Sequence, residues 1–410
     1  MTDTQVQLYS PEFFADPYDY YGRLRETDPV SWDEQHEMWI LTRYDDVKRV
    51  ARQPHIYSSR LAALDTRPAT PPVRDADLEL QRLVDDVHRV EFIQLDPPDH
   101  TVKRAALSER FSPRNLEAVR PMVRQVIAEL LDAVADQPGA DLRAAVGKPL
   151  PLLVICRLMG IPEADVQTVA EQATARMANV LSLADDRMHT AWGGFTATAD
   201  YLTATMDQRQ AGGCPVGDDV LGDMVSAERS GTWSRAETLA NAMMLVDAGH
   251  ETTIQLICNG TLQLLSRPDQ WDLLKADPRG LAASATDECL RLDPPLHALR
   301  RVVVEDVEVG GRTLRAGDRV VAVVASANRD PRRFPDPERF DITRAPNTHL
   351  SFGIGAHYCI GQYLARMEGQ EYFAALAERF PRARMSPDSP LSYEPVPRVR
   401  SMRSLPVLWD

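Results

Sequence analysis

The ten residues Phe352-Gly-Ile-Gly-Ala-His-Tyr-Cys-Ile-Gly361 constrain this chain more than any other stretch. Glycines lack a Cβ, so Gly353 and Gly355 permit a tight backbone turn and close approach to a large flat ligand. Past Gly361, Leu364, Met367, Tyr372 and Leu376 recur with a helical period and predict a helix there. Cys359 then stands at a helix N-terminus, where free N–H groups and the positive dipole end favour a thiolate. Such a loop presents sulfur to a planar metal cofactor. The plain alternative is a buried structural cysteine in a glycine-rich turn, and three further segments weigh against it.

The first is Asp96-Pro-Pro-Asp-His100, which opens a helix because proline's missing N–H costs nothing in a first turn. His100 and Arg104 lie four apart on one helical face. Two donors so placed suit a pair of carboxylates, or simply decorate a surface. The second is Arg235–Ser266, the longest predicted helix. Its middle, Ala248-Gly-His-Glu-Thr-Thr253, opposes helix formation, since glycine and β-branched threonine cost a few tenths to about 1 kcal/mol each. That cost predicts a local purpose, a widened turn beside a cofactor. The third is Glu288-Cys-Leu-Arg291, whose charged ends can pair across one turn.

Phe352, Gly353, Gly355, His357, Cys359 and Gly361 fill every position of a pattern that resembles the haem-binding signature of the cytochrome P-450 family. Glu251-Thr252 resembles the acid–alcohol pair of that family, and Glu288 with Arg291 its structural ExxR motif. The resemblance covers essentially the whole chain. It implies a mainly α fold with small β-sheets (α+β), a long central helix over a haem, and one domain across residues 1–410. It further implies haem b with the Cys359 thiolate as axial iron ligand, cradled by Phe352 and Gly353. His100, Arg104, Arg301 and His357 would bind the propionates, Arg301 fitting its sequence context better than Arg300. Glu251 would relay protons, Thr252 would support oxygen activation, and Glu288 and Arg291 would serve folding.

The activity so implied is a monooxygenase that inserts one atom of O2 into a bulky hydrophobic substrate, by hydroxylation or epoxidation. Natural-product tailoring (macrolide or polyketide, peptide, terpenoid) is the preferred reading. A steroid or xenobiotic hydroxylase, a peroxide-driven haem enzyme, and a non-catalytic haem or ligand binder are the alternatives. Electrons would come ultimately from NAD(P)H through a ferredoxin and its reductase. Met177, Leu181, Leu183, Trp192 and Phe195 border the substrate pocket or are ordinary core. The weakly periodic 61–95 stretch reads as a long loop over that pocket, and a turn near Pro395–Arg398 would touch substrate.

With 44% hydrophobic and 26% charged residues, the chain is of globular type. It has no apolar run of about 18 residues and no basic, apolar leader at Met1-Thr-Asp-Thr-Gln. A cytoplasmic monomer without a membrane segment is therefore expected. A net charge of −14 argues against nucleic-acid binding. Lys103, Arg104, Arg110, Arg114, Arg120 and Arg124 form a local exception, opposed in sequence only by Glu109 and Glu117. They read as a solvated helix face or as the docking patch for an acidic ferredoxin. Five scattered cysteines without a CxxC pair exclude a disulfide or zinc framework.

Overall fold

The computed structural model describes residues 8, 10–64, 78–180, 188–211, 218–387, 391–394 and 398–410. Helices dominate, and three small sheets flank them, which is the mainly α architecture expected. The central helix is Arg235–Leu265. Ser234 Oγ accepts the Glu237 N–H, and the Glu237 carboxylate accepts the Ser234 N–H, closing a capping box at its start. The helix carries few charges and is buried along most of its length, as a core helix should be.

The expected widened turn does not occur: the helix is continuous through Ala248–Thr253. Its glycines serve close packing instead. A Cβ on Gly249 would lie 3.2 Å from Ile155 on the Pro149–Met159 helix. A Cβ on Gly260 would overlap the Phe373 ring of the Gln362–Arg379 helix and crowd Cys289 of the Pro278–Leu292 helix. A Cβ on Gly369 would sit 2.8 Å from Thr286. The helix that follows Cys359 is thus seated directly on the central helix, and its depth is set by missing methyl groups.

The main sheet has five strands in the order β1 (Val30–Asp33), β2 (Met38–Leu41), β8 (Arg319–Val323), β5 (Ala298–Val303), β3 (Tyr57–Ser58). Only β2 and β8 run parallel. β4 (Gly139–Asp141), β10 (Pro406–Leu408) and β9 (Arg384–Met385) form a second sheet, and β6 (Val307–Val309) with β7 (Arg312–Leu314) a hairpin. Side chains alternate faces along β5, so Arg300 is exposed while its neighbour Arg301 turns inward. The 61–95 stretch is not one long loop: Leu61–Leu64 and Leu78–Val90 are helical, and a 3-10 turn spans Phe92–Gln94.

The chain between Asn328 and Asn347 has almost no regular structure, yet it leads into the cysteine loop. It is held by Glu288 and Arg291, both fully buried and joined by two 2.8 Å hydrogen bonds. Arg291 also donates to the carbonyls of Asn328, Pro337 and Arg339. Glu288 accepts from the Asp341 N–H, the Arg344 guanidinium and Asn347 Nδ2. A buried pair of this kind is costly to break, because the surviving charge stays buried alone. Glu288→Ala is expected to lower the unfolding free energy by about 3–5 kcal/mol in urea titration, with the cysteine loop losing order first in hydrogen exchange.

Candidate active site

The Cys359 loop begins with two glycines at positive φ, +67° at Gly353 and +83° at Gly355. The two serve different ends. A Cβ on Gly353 would have room, so only its backbone conformation calls for glycine. A Cβ on Gly355 would press to 3.0 Å on the Ala51 carbonyl of the Tyr44–Arg52 helix, so there the close approach is to protein. The Gly353 N–H donates to Leu350 O (2.8 Å) and the Cys359 N–H to Phe352 O (2.9 Å), which closes the loop on itself. The Arg366 guanidinium covers the Phe352 ring at 4.4 Å.

Cys156, Cys258 and Cys289 are buried, and Cys214 lies outside the described residues. Burial pushes the thiols of Cys156 and Cys258 up to about 12, and that of Cys289 well above its ordinary value. Cys359 alone among the described cysteines is half-buried. Burial raises its thiol too, against the Gly361 N–H and the positive charges of Arg104 and Arg366, which favour the thiolate. The N–H at the helix start acts in the direction expected from sequence, and burial acts against it. A metal bound at sulfur would secure the thiolate.

Four basic groups from three segments meet at this loop: His100 and Arg104 on the Asp99–Ser108 helix, Arg301 on β5 and His357 of the loop itself. The rings of His100 and His357 lie 4.1 Å apart. His100 is buried with both ring nitrogens unpartnered. His357 Nε2 contacts Ser59 Oγ at 3.1 Å. Arg104 donates to the Tyr358 carbonyl (2.5 Å) and Arg301 to the Arg300 carbonyl (2.7 Å). Burial, with the charges of Arg104 and Arg301 adding to it, lowers His100 to about 4. Burial lowers His357 to about 3, helped by Arg301, His100 and Arg104. Burial lowers Arg301 to about 10, and Asp96 is the acid that opposes this. Asp96 itself is taken by Ser58 Oγ and the Ser59 N–H. Asp96 is the one acid that acts on both His100 and Arg301, so the cluster is short of anionic charge, and it adjoins a half-buried thiol behind a glycine loop. These residues fit a dianionic planar group whose metal takes sulfur, which is the donor set of a thiolate-ligated haem. Ser59, which contacts His357, carried no signal in the sequence, and Asp96 stood there only as the opening of a helix.

On the central helix, Glu251 is buried and Thr252 half-buried. Thr252 Oγ1 donates to the Ala248 carbonyl (2.8 Å), a local bond typical of threonine inside helices. Burial raises the Glu251 carboxyl above the usual range. Donors from Gln255 and Ser401 and the positive charges of Arg143 and Lys148 oppose that rise. Of the residues expected to line the substrate pocket, Phe195 is buried, and Met177 and Trp192 lie on the Glu163–Val180 and Met188–Ala211 helices, whereas Leu181 and Leu183 lie outside the described residues, as do 395–397 of the C-terminal turn. His349 pairs with Asp287 at 3.3 Å.

The basic island of the 100–124 region is largely neutralised by acids that are distant in sequence. Lys103 pairs with Glu237, Arg110 with Asp218 and Asp223, and Arg120 and Arg124 with Glu371. Arg114 remains exposed. A strongly positive docking patch is thus not what the fold makes of these residues. Among the described residues no single helix is long and apolar enough to cross a membrane.

Residues 281–397 match the family described as Cytochrome P450. Over 408 residues the chain is 36% identical to cytochrome P450 monooxygenase PikC of Streptomyces venezuelae, covering 97% of this chain and 92% of that protein. It is 32% identical over 411 residues to the polyketide biosynthesis cytochrome P450 PksS of Bacillus subtilis, covering 97% of each. The crystal structure of CalO2 superposes with a TM-score of 0.89 at 31% identity, over 99% of this chain and 98% of that one. With a haem-type donor set inside this fold, and likeness along nearly its whole length, the chain belongs to the cytochrome P450 family and is a monooxygenase of that family.

Proposed function

We propose that residues 1–410 act as one catalytic domain that oxidises a bulky hydrophobic natural product of polyketide type, with the haem iron ligated by Cys359. The observation that carries the cofactor assignment is the anion-deficient cluster of His100, Arg104, Arg301 and His357 next to the half-buried Cys359. The substrate class leans on the likeness to PksS, a protein of polyketide biosynthesis. When bound, a haem with a thiolate ligand supplies the activation of dioxygen and the transfer of one oxygen atom to carbon.

The protein contributes the rest. Arg104 and Arg301 would hold the two propionates by charge-assisted bonds, with His100 and His357 beside them. Phe352 and Gly353 shape the loop around sulfur. The Glu251 carboxyl, raised by burial, holds and releases a proton closer to neutral pH than an exposed acid does. The Thr252 hydroxyl, one residue on, turns from the Ala248 carbonyl to pass that proton toward the reacting oxygen. Electrons come from NAD(P)H through a ferredoxin and its reductase in the cytoplasm. The ferredoxin docks over the Cys359 side, where Arg114, Tyr358 and Tyr363 are exposed. The enzyme works as a monomer.

Titration of the ferric protein with macrolactones, linear polyketides, steroids and terpenoids tests the substrate class through the Soret band. A low-spin to high-spin shift with polyketides is expected, and a shift confined to steroids would overturn the assignment. Cys359→Ala is expected to abolish the red-shifted ferrous–CO band, and its survival would remove Cys359 as ligand. Arg301→Ala is expected to speed haem loss roughly 10- to 100-fold, the worth of one charge-assisted bond, while Arg300→Ala changes it little. Thr252→Ala is expected to keep haem and substrate binding but to divert oxygen to peroxide. Glu251→Gln should slow turnover by about 10²-fold or more. Full coupling in both variants would mean that protons travel another way.

A further inference from the structure

Glu251 does not stand alone on the central helix. One of its carboxylate oxygens, Oε1, accepts from Gln255 Nε2 at 2.9 Å and from Ser401 Oγ at 3.3 Å. The second Gln255 N–H donates to Ser401 Oγ at 3.0 Å, which frees the serine proton for the carboxylate. Gln255 Oε1 accepts the Met402 N–H at 3.3 Å, so the orientation of the amide is fixed by its neighbours. All four residues are buried. Gln255 lies one helical turn beyond Glu251, whereas Ser401 comes from the far end of the chain. The segment that carries Ser401 is tied at Tyr393 to Met402, and at Val399 to Leu296, just ahead of the strand that holds Arg301.

We propose that Ser401 and Gln255 are positioning residues that hold the Glu251 carboxyl on the C-terminal side of the central helix in the resting enzyme. The acid delivers its proton only after it lets go of Ser401. The C-terminal segment thereby sets how readily the relay engages. Without the clamp, burial of the carboxyl would be opposed by the positive charges of Arg143 and Lys148, which reach it from the 143–148 segment. This role deepens the relay assigned to Glu251 and rests on that reading, but the clamp itself is observable without turnover.

The test is infrared difference spectroscopy of the holoenzyme across a pH titration, with the Glu251 carboxyl band identified by its loss in Glu251→Gln. Ser401→Ala removes one donor to the carboxylate. The band should then move to higher frequency and its titration midpoint rise by about one pH unit, a tenfold gain in proton affinity. Ser401→Thr, which keeps a hydroxyl, should restore both. Gln255→Met, which keeps volume but removes both amide donors, should give the larger rise and guards against misfolding of the serine variant. In Ser401→Ala, product per dioxygen should change several-fold with haem content and substrate affinity unaltered. A band and midpoint in Ser401→Ala and Gln255→Met identical to those of the native protein would overturn the clamp. Full coupling in Glu251→Gln would instead overturn the relay and leave the clamp standing.

Discussion

One buried ion pair carries more of this structure than any other interaction. Glu288 and Arg291 are sealed from solvent, and together they bond six other residues between Asn328 and Asn347. That segment has little helix or sheet with which to satisfy its own backbone. Its carbonyls and N–H groups find partners in the side chains of one helix, and the cysteine loop follows directly after it. Two charges taken out of water are expensive, and here the cost is offset because each is fully bonded. The position of the thiol in the fold descends from that arrangement.

Packing then fixes the other side of the same loop. Gly260 and Gly369 let the Gln362–Arg379 helix rest against the central helix and the Glu288–Arg291 helix at backbone distance. Gly355 lets the loop rest against the Tyr44–Arg52 helix. Between these contacts the chain leaves Cys359 half-buried while the other described cysteines are sealed. Four basic side chains crowd nearby with too little negative charge among them. Burial holds the two imidazoles neutral and leaves two guanidiniums with little opposing charge, which is why the cluster is the firmest sign of an anionic cofactor.

The relay side shows how local and distant chain combine. Glu251 and Thr252 are neighbours in sequence, but each is engaged elsewhere, Thr252 with its own helix and Glu251 with the end of the chain. The irregular composition of Ala248–Thr253 was readable as a sign of function, yet it does not deform the helix. Gly249 is there for Ile155.

Short-range chemistry was legible in the residues themselves. Ten consecutive positions around Cys359 specify a loop, a sulfur ligand and a following helix, because turn conformation and helix initiation depend on near neighbours. The central helix, with its acid and alcohol, and the i,i+3 pair of Glu288 and Arg291 were legible for the same reason. Tertiary structure decided whatever depends on who meets whom. It turned Arg301 inward and Arg300 outward through the register of one strand, brought Ser59 to His357, and laid Ser401 on Glu251. It also cancelled the basic run of 100–124 with Glu237, Asp218, Asp223 and Glu371, acids far away in the chain. Charge and burial at a point sum over all neighbours in space, and a sequence lists only those along the chain.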